Sequence, residues 1–241
     1  MRERGWLRAA AWGLLLVATL LSGTLGYYRA QAALRQMQLA EAARWLEGRV
    51  IVVDPGHGGH DPGAVVAGTE EKGLVLSIAL VLKEMLQERG ATVILTRETD
   101  MHLDPVIRRD LARRAELAER YNADALVSIH ANKDTCHCWG AQTFHQRGDE
   151  IGKELAEAIQ AQMRRLTPTT REVLPANFYL LRTARVPSAL VEVGFLSHPE
   201  EVRRLQQPKY QRTLAEAMVL GLADFFRRQV PPARSEGELG R

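Results

Sequence analysis

The sequence predicts an α/β fold: a single twisted, mostly parallel sheet with helices on both faces, preceded by an N-terminal hydrophobic helix. Three observations carry that expectation. Short apolar runs rich in β-branched residues, such as Val50–Asp54 and Ala125–His130, read as buried strands. Between them lie helical stretches with apolar residues on one stripe, the alternation that builds parallel sheets covered on both faces. Loops rich in glycine, proline and polar residues follow the strand ends, where open α/β sheets place their ligands.

In chain order, residues 1–8 carry Arg2, Arg4 and Arg8 against Glu3, and Ala9–Tyr28 is a run of 20 residues without a formal charge. A helix of about 20 residues spans a bilayer, and the preceding arginines favour a cytoplasmic N-terminus with the remainder exported. Residues 1–32 are therefore expected to be a signal anchor or signal peptide. Ala30-Gln31-Ala32 offers a small-residue cleavage site, but the apolar run exceeds a usual signal core and favours the anchor. Residues 33–48 read as a helical linker or stalk, and the main domain as 49–230.

Within that domain the strand at 50–54 leads into a glycine-rich loop and then a helix with Leu74, Ile78, Leu82 and Met85 on one face, closed by Gly90. A strand follows at Thr92–Thr96, a helix at about Ile107–Tyr121 and the ALVSIH strand at 125–130. Gly140–His145 is expected to be an edge strand and Gly152–Leu166 an amphipathic helix. Phe178–Leu181 and Ala189–Val193 read as the last strands. The final helix, about Tyr210–Arg228, ends at Pro231-Pro232, and 231–241 is expected to be a disordered polar tail.

Composition narrows the function. A net charge of +3 from 32 basic and 29 acidic residues, interleaved along helices, argues against nucleic acid. Cys136 and Cys138 are one residue apart; a disulfide between them would close a small strained ring, and incidental loop thiols are the expectation. No other residues complete a four-ligand cysteine and histidine zinc site with them.

The stretch Ile51–Gly63, IVVDPGHGGHDPG, holds the first chemistry. It lacks the terminal lysine and hydroxyl residue of a phosphate-binding P-loop. Three candidate ligands or bases lie at or near strand ends: His57, His130 and Glu192. Glu192 sits inside the apolar run ALVEVGF, where a carboxylate is costly to bury unless paired, protonated or near a cation. The Glu70-Glu71-Lys72 run adds a carboxylate at a helix start, where dipole stabilisation alone would explain it. Two histidines and a glutamate with an open fourth position form a hydrolytic zinc set, although these lie far apart in sequence and no HExxH motif is present.

The segments DPGHGGHDPGAV (54–65), EEKGLVLSIA (70–79), TRETD (96–100), SIHAN (128–132) and ALVEVGFLSHPEE (189–201) together make the chain resemble the zinc-dependent N-acetylmuramoyl-L-alanine amidases of bacterial cell walls. The resemblance covers nearly all of residues 49–228. It implies one zinc ion on His57, Glu71 and His130, with Glu192 as the catalytic glutamate. It leaves His60 a non-ligand, places His198 in a turn and makes Asn132, Arg97 and Arg114 shapers of the strand ends. His102, His137 and His145 are expected in surface or loop roles.

Within that family the chain is most similar to germination-specific amidases of spore formers, through Trp139–Phe144, Thr169–Arg171 and Pro208–Gln211. This implies a peptidoglycan substrate in spore cortex, as a step towards muramic δ-lactam. It also implies a location outside the cytoplasm, in the forespore intermembrane space, with membrane attachment if 1–32 is uncleaved. No residues identify an activating protein. A vegetative autolysin and a non-catalytic wall-binding module are the competing expectations.

Overall fold

The computed structural model describes residues 3–134 and 138–229, with no side chains described for 3–11 and 13–15. Residues up to Glu41 form one unit and those from Ala42 onward a second. The first helix, α1 (Glu3–Leu46), runs without a break through the expected hydrophobic segment and stalk. Among the described residues no helix is long and apolar enough to cross a membrane. Within the apolar run the side chains of 9–11 and 13–15 lie outside the description, and the structure lends the membrane span no support. The expected tail at 231–241, Cys136 and His137 also lie outside the described residues.

The elements that follow are β1 (Val50–Pro55), β2 (Val65–Val66), β3 (Thr69–Glu70), α2 (Glu71–Gln87), β4 (Thr92–Leu95), α3 (Ile107–Arg120) and β5 (Ala125–Asn132). Then come β6 (Gln142–Gln146), α4 (Glu150–Leu166), β7 (Leu174–Ala176), α5 (Tyr179–Thr183), β8 (Ser188–Phe195), α6 (Pro199–Leu205) and α7 (Pro208–Gln229). The main sheet has the order β4-β1-β5-β8-β6-β7. Its first four strands are parallel, β6 runs antiparallel to β8, and β7 is parallel to β6. The mostly parallel sheet is therefore as expected.

Helices cover both faces. Val52 and Leu126 turn to one side, packing with Ala115 and Ala118 of α3 and Leu180 of α5. Helix α2 packs on β1, β4 and β5 from the other side, α4 on β6 and β8, and α7 lies against α2 and α4. Ile51, Val53, Ile129, Val191 and Val193 have no exposed surface, which explains why these strands read as continuous apolar runs rather than alternating ones.

Four local expectations are corrected. The apolar run at Phe178–Leu181 is not a strand: Phe178 caps α5, and Leu180 enters the core beneath α3. A four-residue apolar run has no period to distinguish helix from strand. Strand β6 is not an edge, because β7, with Pro175 at its centre, pairs outside it; proline suits such an edge position. His145 is buried in β6 rather than exposed, with Nδ1 2.9 Å from the Gln146 carbonyl. Cys138 is disulfide-bonded, so it is not the free thiol expected.

Candidate active site

The site begins where β1 ends. Asp54 is buried and accepts from Thr96 Oγ1 and Ser128 Oγ, both at 2.6 Å, and from Arg114 Nη1 at 2.9 Å. Burial pushes its pKa up, but the Arg114 charge and the two hydroxyls outweigh that and hold it below the ordinary carboxylate value. One carboxylate thus ties β1 to β5, to the residue after β4 and to α3.

The next three carbonyls are held by two arginines. Arg114 donates to the Pro55 carbonyl at 3.0 Å and the His57 carbonyl at 2.6 Å, and its Nε to Asp110 Oδ2 at 2.6 Å. Arg97 donates to the Pro55 carbonyl at 3.0 Å and the Gly56 carbonyl at 2.7 Å. This clamp matters because His57 has a φ of 61°, a left-handed conformation uncommon for a side chain other than glycine. The two arginines therefore shape the strand ends, as the resemblance implied.

His57 and His130 then meet Glu71. His57 Nε2 stands 3.2 Å from His130 Nδ1 and 3.1 Å from Glu71 Oε1, while His130 Nδ1 is 3.0 Å from that same oxygen. Two ligands bonded at ~2.0–2.1 Å to one tetrahedral ion stand roughly 3.3 Å apart. The three donor atoms thus outline one face of a tetrahedron, and they form the one His, Cys, Asp and Glu group of metal-binding size among the described residues. Glu71 is buried, accepting from the backbone N–H of Ala131 and of Ala64, each at 2.9 Å. Glu70 instead leans towards Lys72 at 3.6 Å, with about half of its side chain exposed. The structure therefore places Glu71, not Glu70, between the histidines.

Charge in the cluster favours a cation. Burial lowers the affinity of His57 for a proton, but the carboxylates of Glu71 and Asp61 overcome it and raise its pKa to about 9. Burial would raise that of Glu71, yet the His130 and His57 rings hold it well below the usual carboxylate range. Asp61 Oδ2 lies 2.8 Å from His57 Nδ1, orienting the ring as carboxylates behind metal-binding histidines do. Sequence reasoning passed over Asp61. Its signal was present in the loop itself, four residues after His57.

Glu192 is brought to the same place by strand register, opposite His130 on β5 and Gln142 on β6. Its Oε2 is buried without a hydrogen-bond partner among the described residues. Burial raises its pKa to about 7; the His130 ring opposes that shift and the Glu71 charge adds to it. A carboxyl poised near neutrality is suited to exchange protons with a reacting group. A cavity of about 230 Å³ connects His57, His130 and Glu192 to an apolar wall that includes Leu111, Phe178 and Leu190. All four residues singled out from the sequence thus lie around one site.

His60 stays outside the three-donor cluster. His102 lies in a loop, as expected, and its ring meets that of His60.

Known proteins resemble this chain in sequence and in fold. The model of the N-acetylmuramoyl-L-alanine amidase family matches residues 51–224. A germination-specific N-acetylmuramoyl-L-alanine amidase of Bacillus subtilis is 39% identical over 198 residues, covering 78% of this chain and 84% of the relative. Among solved structures, the CwlD amidase from Clostridioides difficile in complex with the GerS lipoprotein superposes with a TM-score of 0.71 at 35% identity, covering 75% of this chain and 100% of that one. AmiC2 of Nostoc punctiforme, an N-acetylmuramoyl-L-alanine amidase, gives a TM-score of 0.68 at 34% identity, covering 76% of this chain and 99% of its own.

Proposed function

We propose, from the premise that this chain belongs to the N-acetylmuramoyl-L-alanine amidase family, that it hydrolyses the amide between N-acetylmuramic acid and the first L-alanine of the peptidoglycan stem peptide. The observation that carries the reading is the His57, Glu71 and His130 triangle gathered at one cavity with Glu192, whose Oε2 is buried.

His57, Glu71 and His130 would hold one zinc ion, and the fit rests on donor type and separation. When bound, zinc supplies Lewis acidity towards water and the scissile carbonyl. Glu192, opposite His130, takes a proton from the attacking water and returns it to the departing alanine amine. Asp61 holds the His57 ring, and the Ala64 and Ala131 amides hold both oxygens of Glu71. The apolar wall of the cavity excludes water around the reacting amide.

The similarity to the germination-specific relative supports spore cortex as the substrate, cleaved as a step towards muramic δ-lactam in the forespore intermembrane space. Residues 1–32 direct export. The Clostridioides difficile neighbour is in complex with a lipoprotein, which supports a protein partner for this chain as well.

The test is mass spectrometry of muropeptides from purified cortex and vegetative sacculi digested with and without a chelator. The expected result is chelator-sensitive release of stem peptides with new alanine N-termini, preferentially from cortex. Equal release from vegetative walls would assign a general autolysin, and a zinc-loaded protein that releases nothing would assign a non-catalytic module.

A further inference from the structure

Outside the three-donor cluster lies a second pair of imidazoles. His60 Nδ1 and His102 Nδ1 stand 3.2 Å apart, with ring centroids 4.5 Å apart and planes crossing at 72°. His57 and His130 adopt nearly the same arrangement, with nitrogens 3.2 Å apart, centroids 4.8 Å apart and planes at 82°. Two nitrogens on one tetrahedral ion stand about 3.3 Å apart, so the second pair has the separation that joint coordination requires.

The pair is held in place from below. His60 lies in the loop after β1 and His102 in the loop between β4 and α3, and the two loops are pinned to each other. Asp100 Oδ1 accepts the Gly59 N–H at 2.8 Å, while Lys72 Nζ donates to the Gly59 carbonyl and to Asp100 Oδ2, each at 2.8 Å. Gly59 has a φ of +59°, and a Cβ at that position would stand 2.2 Å from His102 Nδ1. Glycine therefore serves both the turn and the approach of the ring. Both rings border the cavity that also holds Glu192.

We propose that His60 and His102 form a second divalent-metal site, for zinc or another ion that prefers imidazole. It is separate from the His57, Glu71 and His130 cluster, and metal binding there does not depend on the reaction assigned to that cluster; its effect on turnover rests on that reading. No third residue joins the pair in a metal-binding group among the described residues, so water fills the remaining positions. Two protein ligands bind more weakly than three, and the ion exchanges readily. Bound there, it places positive charge on the cavity wall and narrows the cleft, so zinc in excess of one equivalent slows turnover.

The test is calorimetric titration of the metal-depleted full chain with zinc, together with chelator competition to count ions. Wild-type protein is expected to take up one ion tightly and a second more weakly. His60→Ala and His102→Ala should each keep the tight step and weaken the second at least tenfold. His57→Ala should lose the tight step and keep the weaker one, which separates failure of this proposal from failure of the three-donor site. His60 is exposed, so its variant tests the site even if His102→Ala misfolds. Turnover at five equivalents of zinc, relative to that at one, should fall in wild type and hold in His60→Ala. A single ion in wild type, or a weaker step unchanged in His60→Ala, would overturn the proposal.

Discussion

Gly56 gives the sharpest test of where His130 must stand. Gly56 lacks the positive φ of Gly58 and Gly59, so alanine is compatible with its backbone. A Cβ there would lie 2.3 Å from His130 Cε1, 2.5 Å from Nε2 and 2.7 Å from Nδ1. Ordinary contact begins near 3.4 Å, so the ring must retreat by about 1.1 Å (3.4 less 2.3). Metal–ligand distances tolerate roughly 0.2 Å, and a misplacement of about 1 Å in a catalytic array costs on the order of 100-fold in rate. Gly56→Ala is therefore expected to weaken zinc binding at least tenfold and to lower kcat/KM by about 100-fold at saturating zinc. The Gly56 N–H bond to the Ile129 carbonyl, 3.0 Å, does not involve the new methyl, so the circular dichroism spectrum should be retained. Gly73→Ala, on α2 with open space around the added carbon, is the control and should match wild type. If Gly56→Ala binds zinc with wild-type affinity and turns over within threefold of wild type, His130 is not the ligand the geometry makes it.

Three further outcomes follow from the site. Glu192→Gln should lower kcat by about 100-fold or more, the scale of a lost acid–base group, with the zinc content by elemental analysis unchanged; near-normal turnover would remove Glu192 from proton transfer. Asp61→Asn should weaken zinc binding by roughly 10–100-fold, the usual scale for an orienting carboxylate behind a metal-binding histidine, as read by chelator competition, and an unchanged affinity would refute the orienting role. In chelator, the same Glu192→Gln variant should unfold at higher urea than wild type above pH 7 and match it near pH 4. The folded pKa of Glu192 is raised from 4.5 to about 7, so the fold favours the neutral acid. The penalty for ionising it is absent below pH 4.5, grows through the window up to about 7 and is constant above that. At ~1.4 kcal/mol per pKa unit its ceiling is on the order of 3 kcal/mol. A gap that is the same at pH 4 and pH 8 would show that burial of the Glu192 charge is not its cause.

Several features of this molecule were local enough to read from the chain. Stretches such as Ile51–Val53 and Leu74–Leu86 carry their structure in their own spacing, because strand and helix impose different periods on buried residues. The strand ends bearing His57 and His130 could be read the same way, and a carboxylate in the ALVEVGF run pointed to a special environment. The tertiary structure decided what depends on partners distant in sequence. It supplied the physical reason for Glu71 rather than Glu70, because Ala64 and Ala131 offer their amides to one carboxylate and the other leans towards Lys72. It turned Phe178–Leu181 into a helix end, because Leu180 packs beneath α3, and moved β6 off the edge by pairing it with β7. It also joined His60 to His102 across two loops that Lys72 and Asp100 pin together. Sequence spacing records the period of one element, whereas a site is set by the register between strands and by which loop carbonyls the buried arginines hold. Those contacts exist only once the chain has closed on itself.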